Sequence, residues 1–223
     1  MTEAQVAVAA ASRLALVVLL AGMVWRGRIR ECWAFAAYVV AVLLGNMLVS
    51  LWPEHFYTPE FWVVKHGAYD VLKVAIALEL AWRAFRAFPG ALRVVRVVLL
   101  VLLTASTVCL ALFNPRSSYE TVWEWQPGFA TAAIWLLAAT ALMVVWYQVP
   151  VSGWQRAIML GLALYLLVFV TLLGLLARWG WVLGPVVSMT ETLVYLALVT
   201  LWAWAAWRRE AAGAAAVPAA SPA

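Results

Sequence analysis

The chain has 223 residues, of which 67% are hydrophobic and 11% are charged, and its formal net charge is +5. Soluble domains have about 25% charged residues and about 45–50% apolar residues, so a water-soluble globule is excluded. The mean hydropathy of +0.96 instead predicts an all-α, polytopic integral membrane protein.

Seven apolar segments are long enough to be membrane spans, because a crossing of the hydrocarbon layer needs about 20 residues. We predict one seven-helix domain over residues 1–210, followed by a disordered Ala- and Pro-rich tail over residues 211–223. The prolines are expected outside helix interiors, and Trp135 is the one tryptophan expected to be buried within a span. The predicted spans are Gln5–Trp25, Trp33–Trp52, Phe61–Trp82, Val94–Phe113, Phe129–Tyr147, Ala157–Ala177 and Pro185–Trp207.

The arginines predict the orientation of these spans. Alternating loops place two arginines on one side, Arg116 and Arg178, and ten on the other: Arg26, Arg28, Arg30, Arg83, Arg86, Arg93, Arg96, Arg156, Arg208 and Arg209. The positive-inside rule then puts the N-terminus outside and the C-terminus in the cytoplasm, and we expect a bacterial inner-membrane protein. The net charge is explained as a topology signal, so lipid headgroups and no nucleic acid are the expected partners of these arginines.

The third span carries five ionisable residues, which are Lys65, His66, Asp70, Lys73 and Glu79. Leaving such a set in lipid would cost on the order of 10 kcal/mol. These side chains are therefore expected to face protein or water.

Helical spacing predicts how these residues pair. His66, Asp70 and Lys73 follow an i, i+4, i+7 stripe, which predicts that Asp70 bonds both His66 and Lys73. Lys65 lies on the adjacent stripe with Tyr69, and snorkelling to the surface is the alternative for this lysine. Glu79 stands four residues before Arg83, which predicts a structural ion pair.

Polar residues at similar depth in other spans complete a candidate site. It would be a ligand-binding or ion-relay site, and the alternative is a buried ion pair that only fixes helix packing. With Glu79 taken by Arg83, three cations face two carboxylates, an excess of +1 that suits a small anionic ligand from the outer side. The candidate residues are Arg13, Asn46, Lys65, His66, Tyr69, Asp70, Lys73, Ser188, Glu191 and Tyr195.

The sequence contains no enzyme motif that we identify, and no cofactor or metal site is predicted. The leading hypothesis is a ligand-sensing or partner-coupling membrane module, with the loop Asn114–Gly128 as a lid or as an interfacial loop. The arginine-rich segment Arg83–Arg96 would contact a membrane or cytoplasmic protein partner, or anchor to headgroups. A small secondary transporter or proton pathway is the alternative function, and a structural membrane subunit is the third. Cys32 and Cys109 are expected to be small apolar fillers.

Overall fold

The computed structural model describes residues 3–86, 118–146, 148–149 and 151–208. These ranges are helical and contain no strand, which confirms the all-α prediction for them. Two short 3-10 helices, Arg28–Glu31 and Trp181–Leu183, lie between longer elements. The α-helices are α1 (Glu3–Trp25), α2 (Trp33–Leu51), α3 (Pro53–Phe56), α4 (Pro59–Phe85), α5 (Ser118–Trp146), α6 (Gly153–Trp179) and α7 (Gly184–Trp207).

Four of these helices contain segments long and apolar enough to cross a membrane: Val6–Trp25, Trp33–Leu51, Gly153–Trp179 and Gly184–Trp207. The apolar part of α5, Ala130–Trp146, is shorter, and α4 carries the buried charges. This is the composition expected of a multi-pass membrane protein. The predicted span Val94–Phe113 and the predicted tail lie outside the described residues.

The helix α5 corrects two predictions. Residues 118–128 of the predicted loop Asn114–Gly128 form the first turns of α5. The prediction of a lid or interfacial loop is therefore wrong for that part of the chain. Pro127 lies inside the helix, although the prolines were expected outside helix interiors. Apolar membrane helices tolerate an internal proline when neighbouring groups satisfy the freed backbone. A proline is an ordinary sign of a helix boundary, which is why the sequence predicts that the helix begins only at Phe129.

The six long helices close a ring in the order α1, α2, α4, α5, α6 and α7, with α7 packed against α1. The side chain of Arg26 donates to the Trp207 carbonyl at 3.3 Å, so α1 and α7 end together. Arg83 donates to the Arg30 carbonyl at 3.0 Å, so α4 ends there too. We call this the arginine end of the bundle, defined by Arg26, Arg28, Arg30 and Arg83.

An aromatic core fills the bundle near the arginine end. The ring of Phe35 contacts the rings of Trp202 and Trp154 edge-on, with centroids 4.8 and 5.4 Å apart. The Trp202 indole donates to the Ala157 carbonyl at 3.1 Å, which satisfies its N–H in the interior. Trp135, which was expected to be buried, is 72% exposed on the surface of the bundle. Depth along a span does not decide which face of the helix a tryptophan occupies, so this prediction is wrong.

Candidate functional site

A cavity of about 200 Å³ lies between α2, α4, α6 and α7. Its shallowest lining residue on α4, Lys65, is six residues after the start of the helix, about 9 Å along the axis at 1.5 Å per residue. The cavity therefore lies toward the end of the bundle opposite the arginine end. Its volume is that of roughly six waters at about 30 Å³ each. The lining residues are Tyr38, Val42, Asn46, Lys65, His66, Tyr69, Lys73, Tyr165, Phe169, Glu191, Thr192 and Tyr195.

The cavity brings together most of the residues that the sequence singled out. Asp70 adjoins it through its contact with Lys73. The candidates that line the cavity directly are Asn46, Lys65, His66, Tyr69, Lys73, Glu191 and Tyr195.

Arg13 and Ser188 do not line the cavity. Arg13 Nη1 donates to Ser50 Oγ at 2.7 Å and joins α1 to α2. Ser188 is exposed, and its carbonyl accepts a hydrogen bond from the Thr192 hydroxyl at 2.7 Å. Without Arg13, the two lysines and two carboxylates at the cavity sum to zero. The excess of +1 expected from the sequence is therefore absent from the cavity.

Five residues that line the cavity are not predicted from the sequence: Tyr38, Val42, Tyr165, Phe169 and Thr192. Tyr165 and Phe169 share one face of α6 at i, i+4 spacing, and their rings stack with centroids 6.1 Å apart. Charge drew attention to α4, whereas these residues are uncharged, and all but Thr192 are aromatic or apolar and resemble ordinary core positions. A search for tyrosines inside the predicted spans would have found Tyr38 and Tyr165, which are part of this wall.

Contacts at its N-terminus and along its length position α4 against α2. The Thr58 side chain accepts a hydrogen bond from the Phe61 N–H at 3.2 Å, and Pro59 occupies the first turn. Tyr69 lies one helical turn after Lys65, and its hydroxyl donates a hydrogen bond to the Ala41 carbonyl of α2 at 3.3 Å. Gly45 makes this approach feasible, because a Cβ there would overlap the Tyr69 hydroxyl and press on the Lys65 side chain.

Asp70 and Lys73 form the ion pair that the sequence predicted. Lys73 Nζ lies 2.8 Å from Asp70 Oδ1, and the two residues are 6% and 4% exposed. The ammonium also lies over the Phe169 ring, 5.2 Å from its centroid, as a cation–π contact. The pair is 11 and 14 residues into α4, about 16 and 21 Å along its axis, near the middle of the helix.

His66 does not bond Asp70, so that prediction is wrong. Its ring lies between Trp62 and Tyr69, with centroids 4.3 and 5.7 Å away. Among the described contacts, the Asp70 carboxylate is taken by Lys73 instead. Shared spacing on a helix makes such a bond sterically accessible but does not choose between two neighbours of one carboxylate.

Two charges at the cavity have no ion-pair partner among the described residues. Lys65 makes no salt bridge there. Glu191 accepts one long hydrogen bond from the Tyr165 hydroxyl at 3.5 Å and interacts with Lys73 only at longer range. The Tyr195 hydroxyl is buried beside Tyr38 and makes no hydrogen bond of good geometry. The cavity is therefore lined by polar groups whose hydrogen-bonding capacity is incompletely used.

Glu79 serves a different purpose at the arginine end. Its carboxylate accepts the backbone N–H groups of Trp33 and Ala34 at 3.0 and 2.7 Å. These are the first N–H groups of α2, which have no partner within their own helix, so Glu79 caps α2 from outside. Arg83 Nη2 lies 2.7 Å from Glu79 Oε1, which confirms the predicted ion pair.

Cys32 lies just before α2, in contact with the same carboxylate. Its sulfur is 3.4 Å from Glu79 Oε2, and the residue is fully buried. Burial, and then the nearby negative charge of Glu79, raise the pKa of the Cys32 thiol to about 12. A buried, protonated thiol agrees with the small-filler prediction for Cys32, while Cys109 lies outside the described residues.

Within residues 3–86, 118–146, 148–149 and 151–208, no three His, Cys, Asp or Glu side chains are grouped as a metal site. Comparison of the chain with family models, with curated proteins and with solved structures finds no match.

Proposed function

We propose that this chain is a ligand-sensing membrane module whose cavity receives a small molecule from the outer side. The observation that carries the proposal is the placement of charged, incompletely bonded side chains around one cavity in the half of the bundle away from the arginine end. Polar groups inside a membrane domain are costly, and such residues commonly mark ligand or ion sites. A cavity with a few convergent polar groups is the usual form of a small-molecule site.

The proposed topology has seven spans with the arginine end in the cytoplasm. Four arginines gather there, as the positive-inside rule expects. The Glu31 carboxylate accepts a hydrogen bond from the Ser152 hydroxyl at 2.7 Å. Since Ser152 lies between α5 and α6, α6 begins at the arginine end and α5 ends near it. Because α4 and α5 both end there, we propose one further crossing between them, the predicted span Val94–Phe113. The bacterial inner membrane stays a prediction from the sequence.

The proposed coupling runs along α4. One face of this continuous helix supplies Lys65 and Lys73 to the cavity, and its last turns supply Glu79 and Arg83 to the arginine end. Glu79 holds the start of α2, while Arg83 holds the Arg30 carbonyl. A ligand that shifts α4 therefore acts on the surface where a membrane or cytoplasmic partner would bind.

A pair of threonines on α7 provides the test. Thr192 lines the cavity, whereas Thr200 is exposed and lies outside it, and each hydroxyl bonds the carbonyl four residues earlier, at 2.7 and 2.8 Å. Thermal unfolding of the nanodisc-embedded protein, followed by tryptophan fluorescence, is screened against a library of small charged metabolites. We expect stabilising compounds that lose their effect in Thr192→Phe, where the ring fills the cavity, and keep it in Thr200→Phe. A screen with no stabilising compound, or hits unaffected by Thr192→Phe, contradicts the proposal.

A transporter or proton pathway is the second candidate. The observation that favours it is the buried Asp70–Lys73 pair beside the cavity, because ionisable residues inside membrane helices commonly mark proton or ion relays. Proton flux into proteoliposomes distinguishes the two functions. A sensor gives no flux above that of empty vesicles, whereas flux that disappears in Asp70→Asn would establish the pathway and remove the sensing proposal.

A further inference from the structure

The cavity presents one unpaired charge of each sign. Lys65 on α4 is a cation that forms no salt bridge with a described carboxylate. Among the contacts of the described residues, the carboxylate of Glu191 on α7 accepts only the long bond from Tyr165. The other two charges at the cavity, Asp70 and Lys73, neutralise each other at 2.8 Å. Lys65 and Glu191 do not pair with each other, so one molecule in the cavity could contact both.

The surroundings of Glu191 suit a cationic group. Tyr165 and Tyr195 meet edge-on beside it, with ring centroids 5.8 Å apart, and Tyr38 adjoins them. Aromatic faces attract an ammonium, and a nearby carboxylate adds a direct counter-charge. The buried Tyr195 hydroxyl, which makes no hydrogen bond of good geometry, is available to accept one from such a group.

The surroundings of Lys65 suit an anionic group. The Lys65 stem packs over Gly45, and His66 follows it on the same helix. An ammonium with three donors and no described acceptor side chain is well placed to bind a carboxylate.

A ligand with a single charge would leave one side of the cavity unsatisfied. A simple anion bonds Lys65 but leaves Glu191 without a counter-charge, and a simple amine does the reverse. Desolvating a charged group without a partner is unfavourable, so each single-charge ligand forgoes part of the available binding free energy.

We propose that the cavity binds a small zwitterion, with its carboxylate at Lys65 and its ammonium at Glu191 among the tyrosines. This inference rests on the proposed ligand-sensing function and specifies the chemical class of the ligand. The neutral sum of the cavity charges agrees with a neutral, dipolar ligand and replaces the anion expected from the sequence.

The test measures the affinities of glycine, β-alanine and γ-aminobutyrate by calorimetry on the nanodisc-embedded protein. These probes differ in the separation of their charges, and butyrate and butylamine serve as analogues that each lack one charge. At least one zwitterion should bind about tenfold or more tightly than either analogue, because each charged contact in a buried site is worth at least that factor. If even the tightest-binding zwitterion had no higher affinity than one of the two analogues, the proposal would be overturned.

Two variants assign the ends of the ligand. Lys65→Met should reduce the affinity of the zwitterion to that of butylamine, and Glu191→Gln should reduce it to that of butyrate. The assignment is overturned if Lys65→Met reduces the affinity to that of butyrate and Glu191→Gln to that of butylamine. It is also overturned if neither variant lowers the affinity for the zwitterion. If none of these probes binds but the metabolite screen still yields a stabilising ligand whose effect is lost in Thr192→Phe, the zwitterion inference fails and the sensing function stands. If that screen is also empty, both fail.

Discussion

Lys73 and Asp70 lie one turn apart on α4, with Nζ 2.8 Å from Oδ1, and both are almost completely buried. Removing one partner should be far more damaging than removing both, because a single variant leaves an uncompensated charge inside the bundle. We expect Asp70→Leu to lower the free energy of unfolding by about 3–5 kcal/mol.

The double variant Asp70→Leu, Lys73→Met is the matched control for that prediction. It should lie within about 1 kcal/mol of the unaltered protein, since apolar side chains of similar volume replace the pair. Unfolding by SDS titration in mixed micelles measures all three proteins. A double variant as unstable as the single one would show that the destabilisation comes from lost packing.

The carboxylate of Glu79 caps the first N–H groups of α2 and binds Arg83. Glu79→Gln should therefore destabilise the protein by about 1–2 kcal/mol, because the charge at the helix N-terminus and the ion pair are both lost. Glu54, an exposed residue near the opposite end, is the control. Glu54→Gln is expected to change the unfolding free energy by less than about 0.5 kcal/mol. Equal effects of the two substitutions would contradict the capping role.

Cys32 offers a prediction on pH. A raised pKa keeps its thiol protonated at neutral and moderately alkaline pH, and thiolate would form only as the pH approaches about 12. In a Cys109→Ser background, Cys32 of the folded protein should react with a maleimide at pH 8 at least about 100-fold more slowly than in the SDS-unfolded chain. Glu79→Gln should speed the reaction, since a nearby negative charge that disfavours thiolate is removed. Fast labelling of Cys32 in the folded protein that retains Glu79 would contradict a buried thiol with a raised pKa.

Gly45 allows Tyr69 and Lys65 to approach α2. Gly45→Ala should push the Tyr69 hydroxyl away from the Ala41 carbonyl and lower the unfolding free energy by about 1–3 kcal/mol. Gly67 on α4 is the control, because a Cβ there meets nothing within 4 Å. Gly67→Ala should be neutral or stabilising by up to about 1 kcal/mol, as helix propensity predicts. Both are measured by thermal unfolding, and a harmless Gly45→Ala would disprove the close approach.

The two tryptophans Trp202 and Trp135 differ widely in burial, at 1% and 72% exposure. Trp202→Phe should cost about 1–3 kcal/mol, because it removes packing against Phe35 and the hydrogen bond to the Ala157 carbonyl. Trp135→Phe should cost less than about 0.5 kcal/mol. Fluorescence of the Trp202→Phe protein should also lose a blue-shifted component. The opposite ranking of the two variants would contradict the packing described for the core.

Sequence patterns predicted the helices and the charged helix α4 because hydrophobic length and buried charge are strong, local signals. The Asp70–Lys73 and Glu79–Arg83 pairs were also accessible, since both partners lie on one helix. The predictions that failed depend on which residues are neighbours in space. They placed Arg13 in the candidate site, bonded His66 to Asp70 and buried Trp135, whereas Trp202 fills the core. Helical spacing fixes the face of a residue relative to its own helix but does not say which helix that face meets. The start of α5 was missed because Pro127 was read as a boundary, a local signal that tertiary packing overrode.

The most direct test of the account is the accessibility of Thr192 from the outer side. In a background with Cys32 and Cys109 replaced by serine, Thr192→Cys and Thr200→Cys are treated in oriented vesicles with a membrane-impermeant methanethiosulfonate reagent. We expect the cysteine at position 192 to be modified from the outer side only, whereas the cysteine at position 200, which the proposed topology places against lipid, is not modified. Modification from the cytoplasmic side, or no modification at position 192, would contradict an outward-opening polar cavity and the ligand-sensing function built on it.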